Sequence, residues 1–167
     1  MNSKLIIMAG APGSGKTTLI NALQKRLDCP RIDFGRLREF HLDTWWKKAN
    51  EKEEKMTFSN LVFIIKNYFK NKYNYVIVDD LKKDKVKELS KLFKNSIIFT
   101  LVLNDNILKK RLKNYNRDSG FRDVNKAIKF NLEWKNIKLN SEYKIENSQN
   151  NPNKIVNDIL KILKYSK

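Results

Sequence analysis

Cysteine, histidine, proline and glycine are all rare in this sequence, which has one Cys, one His, three Pro and five Gly among 167 residues. The single Cys29 excludes a framework of internal disulfide bonds, and one Cys with one His supplies neither a zinc-ligand set nor a Cys–His catalytic pair. No apolar run approaches the ~20 residues of a membrane-spanning helix, and the first residues lack a signal-peptide pattern. We therefore expect a cytoplasmic protein with no membrane partner.

Acidic residues are few compared with basic ones. There are 18 Asp and Glu against 35 Lys and Arg, so the formal net charge is +17. Such a charge suggests a nucleic-acid partner. However, 28 of the basic residues are Lys and only seven are Arg, whereas a binding groove would concentrate charge, usually as Arg. We therefore favour a Lys-rich, solubilising surface over a nucleic-acid interface. The sequence does not indicate the oligomeric state.

Three of the five glycines lie within six residues and belong to a phosphate-binding motif. The stretch Gly10–Thr17 reads GAPGSGKT, a complete G-x-x-x-x-G-K-[ST] P-loop, between a strand-like apolar run and an amphipathic helix pattern. Backbone N–H groups in such a loop face phosphate oxygens, the lysine contacts the β- and γ-phosphates, and the next hydroxyl binds Mg²⁺. The predicted nucleotide-binding residues are Gly10, Gly13, Ser14, Gly15, Lys16, Thr17 and Thr18, with Lys16 also catalytic and Thr17 also a metal ligand.

Strand and helix patterns alternate from one end of the sequence to the other. Strands are predicted near residues 4–9, 30–34, 75–78, 96–103 and 142–145, with about seven helices around them. The sequence has no internal repeat and no linker rich in Pro or Gly. This alternation predicts an α/β fold with a mostly parallel sheet, in a single domain over residues 1–167.

Carboxylates follow two of the predicted strands. The run Tyr75–Asp79 has the Walker-B form, in which apolar residues end in an acid that holds Mg²⁺. Asp80 is the alternative for this role. Neighbouring strand residues point to opposite faces, so only one of the two acids is expected to face the metal, and the register of the motif favours Asp79. Alternatively, the two acids cap a turn. Asp33 ends the second strand, where it is placed to cap the following helix.

The order of these elements resembles that of the P-loop small-molecule and nucleotide kinases, which include adenylate, shikimate and gluconate kinases and chloramphenicol phosphotransferase. The resemblance implies a three-layer P-loop NTPase fold with a five-stranded parallel sheet of order 2-3-1-4-5 and helices on both faces. It also implies ATP and Mg²⁺ as cofactors, acceptor-binding helices at about residues 36–72, and a short lid at about residues 115–123.

Several residue roles follow from the same resemblance. Asp33 would act catalytically by accepting or orienting the proton of an acceptor hydroxyl, and it would help to bind the acceptor. In nucleotide-phosphorylating members a nearby Gly and Arg hold the acceptor phosphate, and here the available arginines are Arg36 and Arg38. Arg117 and Arg122 match catalytic lid arginines; a solvated basic helix end is the alternative. Arg111 falls in the same lid-like stretch, but for Arg111 the basic helix end is favoured.

Two further segments fall at binding positions of the resembled kinases. His41, Trp45 and Trp46 follow Asp33 in the region where the acceptor binds, although a Trp there equally suits a core-covering role. Residues 147–150 fall where a loop passes over the adenine.

The favoured function is an ATP- and Mg²⁺-dependent phosphotransferase that moves the γ-phosphate to a hydroxyl of a small-molecule acceptor. The alternatives are a nucleoside monophosphate kinase, a 5′-hydroxyl polynucleotide kinase and a non-kinase NTP-binding switch. An N-K-x-D guanine-binding segment is missing after the fourth predicted strand, which disfavours a GTPase. The short chain without a signature loop or second helical domain disfavours ABC and AAA+ types. The sequence does not identify the acceptor.

Overall fold

Strands and helices alternate along the chain in the computed structural model, which describes residues 3–40, 50–114, 121–149 and 151–165. Within these ranges the strands are β1 (Lys4–Gly10), β2 (Arg31–Asp33), β3 (Tyr75–Asp79), β4 (Ser96–Val102) and β5 (Glu142–Glu146). The helices there are α1 (Lys16–Leu27), α2 (Phe34–Arg38), α3 (Glu51–Lys70), α4 (Lys83–Leu92), α5 (Asp105–Lys113), α6 (Val124–Asn136) and α7 (Pro152–Tyr165). The five predicted strands are confirmed.

The described strands form one sheet in the order β2-β3-β1-β4-β5, with helices on both sides. The recorded pairings of β1 with β3, β2 with β3, and β4 with β5 are parallel. The strands β1, β3 and β4 are apolar and almost completely buried, as parallel strands covered by helices must be. The fold class and strand order expected from the resemblance are therefore confirmed.

The helix after β2 begins two residues before its predicted start at residue 36. The Asp33 side chain caps this helix by accepting a hydrogen bond from the Arg36 backbone N–H, so α2 starts at Phe34. A longer helix over residues 36–49 was expected; the described part of α2 ends at Arg38, and residues 41–49 lie outside the described residues. The helix α3 begins with a capping box between Asn50 and Glu53.

The chain groups into two compact units. The first contains Met1–Ile7 and Leu27–Ile97, and the second contains Met8–Arg26 and Ile98–Lys167. In the first unit α3 buries Phe58, Leu61 and Ile65, and in the second α5 and α6 pack around a separate apolar cluster. The P-loop belongs to the second unit, whereas Asp33 and Asp79 belong to the first. A single domain over the whole chain stays a prediction.

Among the described residues, no helix is both long enough and apolar enough to cross a membrane.

Candidate active site

The P-loop has a backbone conformation that requires its glycines. Gly10, Gly13 and Gly15 all have positive φ, at 137°, 85° and 94°. A Cβ atom on Gly10 would lie 2.6 Å from the Leu101 carbonyl oxygen, and one on Gly15 would lie 2.6 Å from Nδ2 of Asn147. Side chains at these positions would therefore meet both backbone strain and steric overlap. The motif glycines thus allow the tight loop before α1.

The predicted nucleotide-binding side chains follow one another around this loop. Lys16 Nζ donates hydrogen bonds to the carbonyl oxygens of Gly10 at 2.8 Å and Ala11 at 3.1 Å. Thr17 and Thr18 are exposed in the first turn of α1. Among the described residues, the fully buried Ser14 hydroxyl is a polar group without a hydrogen-bond partner. Together with the positive end of α1, this glycine cradle fits a polyphosphate anion.

Asn147 and Arg111 contact the P-loop from two other segments of the same unit. Asn147 Nδ2 donates a 2.7 Å hydrogen bond to the Ser14 carbonyl oxygen. Arg111 Nη2 donates to the Asn147 carbonyl oxygen at 2.7 Å, and its Nη1 donates to the Ser14 carbonyl oxygen at 3.4 Å. Burial lowers the pKa of Arg111, an effect that the Glu146 carboxylate opposes. Sequence reasoning assigned no role to the Asn147 side chain, because nothing local links it to Ser14.

In the first unit, the Walker-B aspartate is engaged by Arg31. Arg31 Nε donates to Asp79 Oδ1 at 3.0 Å, and Arg31 Nη2 donates to Asp79 Oδ2 at 2.8 Å. This hydrogen bonding raises the pKa of Arg31. Asp79 is only 3% exposed, whereas Asp80 is exposed and has a left-handed φ of 59°. The two candidate acids thus have different environments, and the choice between them as the metal ligand stays a prediction.

Asp33 joins this group as both a helix cap and an ion-pair partner. Its Oδ1 accepts a 3.3 Å hydrogen bond from the Arg36 backbone N–H, and its Oδ2 lies 3.6 Å from Arg31 Nη2. The predicted cap is confirmed. The helix N–H thus uses Oδ1, whereas Oδ2 is within ion-pair distance of both Arg31 and Arg36, the latter at 4.0 Å.

The two predicted acceptor-binding arginines have different surroundings. The Arg36 side chain is 84% exposed, whereas that of Arg38 is only 12% exposed and forms an ion pair with Glu54 of α3. A groove of about 350 Å³ in this unit brings Asp33 and Arg36 together, but Arg38 is not among its lining residues. The remaining groove walls include Arg31, Leu37, Phe40, Ile64 and Tyr68.

The predicted lid is only partly described. Arg117 lies outside the described residues, as do His41, Trp45 and Trp46. Arg122 is described and exposed, and its Nη1 donates a 3.1 Å hydrogen bond to the carbonyl oxygen of neighbouring Phe121. The catalytic roles assigned to Arg117 and Arg122 therefore stay predictions.

The described residues contain no group of three or more His, Cys, Asp or Glu side chains that could hold a metal ion. A divalent ion at the P-loop would need different ligands: a hydroxyl such as that of Thr17, a carboxylate, phosphate oxygens and water. This is the ligand set that Mg²⁺ takes in nucleotide sites. The residues present fit Mg²⁺ bound together with a polyphosphate.

Solved kinase structures have the same fold. No curated protein matches the chain. A sugar kinase from Janibacter sp. HTCC2649 is 13% identical with a TM-score of 0.73, and the match covers 98% of this chain and 95% of that one. A gluconokinase from Sinorhizobium meliloti 1021 is 14% identical with a TM-score of 0.63, covering 94% and 89% of the two chains.

A third similar structure is a shikimate kinase from Bacteroides thetaiotaomicron, which is 18% identical with a TM-score of 0.65. The match covers 96% of this chain and 98% of that one. At such low identity the likeness is one of fold. The predicted resemblance to the P-loop small-molecule kinases is confirmed at that level.

A family model described as an AAA domain matches residues 6–129. The matched range begins within β1 and ends within α6, so it includes the whole P-loop, Asp33 and Asp79. The short chain was expected to disfavour an AAA type. The family match corrects this expectation, because the matched range fits within the 167 residues. The match extends over about three quarters of the sequence, and the chain belongs to the AAA domain family.

Proposed function

We propose that this protein is an ATP- and Mg²⁺-dependent phosphotransferase that moves the γ-phosphate to a hydroxyl of a small-molecule acceptor. The observation that carries this proposal is the P-loop, with its positive-φ glycines, in a fold shared with sugar, gluconate and shikimate kinases. The cytoplasm, which we propose as its location, would supply ATP and keep Cys29 reduced.

The P-loop residues would bind and orient the triphosphate. The backbone N–H groups of Gly13, Gly15 and Lys16 would donate to phosphate oxygens, and the Lys16 ammonium would leave its loop carbonyls to contact the β- and γ-phosphates. Thr17 and one acid, Asp79 or Asp80, would hold Mg²⁺. When bound, Mg²⁺ neutralises charge on the transferring phosphoryl group. Arg117 and Arg122 would donate to the same oxygens, as planar guanidinium groups suit this charge.

Asp33 would prepare the acceptor. One of its oxygens already caps α2, so the other would accept a hydrogen bond from the acceptor hydroxyl in the groove. The hydroxyl oxygen then forms a bond to the γ-phosphorus while the bond to the β–γ bridging oxygen breaks. ADP leaves with that electron pair, and the hydroxyl proton passes to the Asp33 carboxylate.

A second candidate function is a nucleoside monophosphate kinase. It is favoured by Arg36, whose exposed guanidinium shares the groove with Asp33 and suits an acceptor that already carries an anion. Arg38 suits this role less well because it is largely buried against Glu54. A 5′-hydroxyl polynucleotide kinase and a non-kinase NTP-binding switch are the remaining alternatives.

A phosphate-transfer screen tests these possibilities. The protein would be incubated with γ-labelled ATP and Mg²⁺ and with separate sets of sugars, other hydroxyl metabolites, nucleosides, nucleoside monophosphates and 5′-hydroxyl oligonucleotides. We expect label on one class of small hydroxyl acceptor and no transfer by Lys16→Ala. Release of labelled phosphate without labelling of any acceptor would contradict the kinase proposal and favour the switch.

A further inference from the structure

The Asn147 side chain connects the end of β5 to the P-loop. Asn147 is 5% exposed, and its backbone N–H donates a 2.9 Å hydrogen bond to the Val102 carbonyl oxygen, which fixes it beside the end of β4. From this position its Nδ2 donates at 2.7 Å to the carbonyl oxygen of Ser14, which lies 133 residues away in sequence. A buried amide in this position holds one specific peptide of the loop.

Arg111 completes a closed set of hydrogen bonds, which we call the loop brace and define as Ser14, Arg111 and Asn147. The Arg111 guanidinium bonds the Asn147 backbone carbonyl at 2.7 Å and also reaches the Ser14 carbonyl oxygen at 3.4 Å. The Ser14 carbonyl therefore accepts from two different side chains. These come from α5 and from the segment after β5, so the loop is held by parts of the fold outside its own sequence.

The geometry of the peptide bond explains what the loop brace controls. A trans peptide is planar, and its C=O and N–H groups point in opposite directions. Fixing the Ser14 carbonyl toward Asn147 therefore directs the Gly15 N–H to the opposite side. Gly15 has φ of 94°, in a region open mainly to glycine, so its own residue type does little to restrict rotation of this peptide. The tertiary contact provides this restriction.

We propose that Asn147, supported by Arg111, is a positioning residue for the triphosphate: it orients the Ser14–Gly15 peptide so that the Gly15 N–H faces the phosphates. The inference rests on the proposed binding of a nucleotide by the P-loop. It gives Asn147 a role toward phosphate, although its segment was expected to pass over the adenine. The close packing of Asn147 Nδ2 against Gly15, where a Cβ would approach to 2.6 Å, supports this role.

Binding of inorganic tripolyphosphate and of ATP, both measured by calorimetry, tests the inference. Tripolyphosphate has no base, so a residue that acts only on the adenine does not affect its affinity. We expect Asn147→Ala to weaken both ligands by a similar factor of about tenfold, the value of one buried hydrogen bond. Asn147→Asp, which places an oxygen opposite the Ser14 carbonyl oxygen, should weaken both more strongly.

Asn131 provides a matched control for the loss of a buried amide. It is fully buried in the same unit, and its side chain bonds the backbone N–H and C=O of Leu103 at 3.3 and 2.7 Å. Asn131→Ala should lower the thermal unfolding midpoint without a matching loss of tripolyphosphate affinity. An equal loss of affinity in Asn131→Ala and Asn147→Ala would show a general effect of stability and overturn the inference.

Two other results would also overturn it, and they are distinguishable. If the wild type binds both ligands and Asn147→Ala weakens ATP alone, Asn147 acts on the base and the positioning role is wrong. If the wild type binds neither ligand, the proposed nucleotide function fails together with the inference. Should Asn147→Asp not fold, Arg111→Ala provides a second variant of the loop brace, with the same expected parallel loss for both ligands.

Discussion

The P-loop and the acid cluster, which we define as Arg31, Asp33 and Asp79, acquire their geometry in different ways. The loop is built from consecutive residues whose glycines take backbone angles that other residues rarely adopt. The acid cluster is built by a guanidinium that bonds a carboxylate 48 residues away. The first kind of geometry is encoded locally, and the second exists only once β2 and β3 have paired.

This difference has energetic consequences. A buried bidentate ion pair offsets the cost of removing two charges from water, and the loss of one partner leaves the other charge uncompensated. The P-loop motif is not held by a buried ion pair between its own residues. It is held instead by the hydrogen bonds of the loop brace, which come from other segments. We therefore expect changes in the loop to affect function most, whereas changes that break the Arg31–Asp79 ion pair of the acid cluster should affect stability as well.

The largest effect is expected for Lys16→Ala. Loss of the ammonium that contacts the transferring phosphates should lower phosphate transfer by at least ~10³-fold and sharply weaken ATP binding. The unfolding midpoint should be measured in parallel, because Lys16 Nζ also donates hydrogen bonds to the Gly10 and Ala11 carbonyl oxygens. Lys25→Ala, an exposed position on α1, is the matched control. Normal turnover by Lys16→Ala would contradict the whole scheme.

Asp33→Asn separates the two roles of this residue. Asparagine caps helices as well as aspartate does, so α2 and the stability should be retained. The loss of the carboxylate base should lower turnover by ~10²–10⁴-fold while ATP affinity is unchanged, as measured by steady-state kinetics and calorimetry.

Asn104→Asp is the control for this substitution, because Asn104 lies outside the proposed site and caps α5 through the same kind of bond, accepting from the Asn106 N–H at 2.9 Å. Its turnover should be that of the wild type. If Asp33→Asn also turns over normally, Asp33 is only a helix cap.

Arg31→Met tests the dependence of the acid cluster on its ion pair. The variant leaves the Asp79 carboxylate buried without its bidentate partner, and it should lower the free energy of unfolding by about 3 kcal/mol in denaturant titrations. The double variant Arg31→Met/Asp79→Asn should recover part of this loss. Lys55→Met removes an exposed pair with Glu51 and should cost less than ~1 kcal/mol. Equal losses in Arg31→Met and Lys55→Met would contradict the expected contribution of the buried ion pair to the stability of the acid cluster.

The sequence predicted the local features of this molecule better than its long-range ones. The five strands, the P-loop and the Asp33 cap follow from residues close together in sequence, and the strand order came from the resemblance. The pairing of Arg31 with Asp79 could not be predicted, because many combinations of charged residues are compatible with the sequence. The same applies to the contact between Asn147 and Ser14, which depends on where the end of β5 lies in the folded unit.

Arg36→Ala is expected to have the smallest effect, and it tests whether the groove selects an anionic acceptor. Arg36 is exposed and Arg38 is buried against Glu54, so removal of Arg36 should affect acceptor binding and removal of Arg38 should affect stability. Arg36→Ala should raise the KM for an anionic acceptor by about tenfold, with the KM for ATP and the unfolding free energy unchanged, since one charge-assisted contact is lost. Arg38→Ala should instead lower stability, because it leaves the half-buried Glu54 without this partner. A KM for the acceptor that is unchanged in Arg36→Ala would favour an uncharged hydroxyl acceptor over a nucleoside monophosphate.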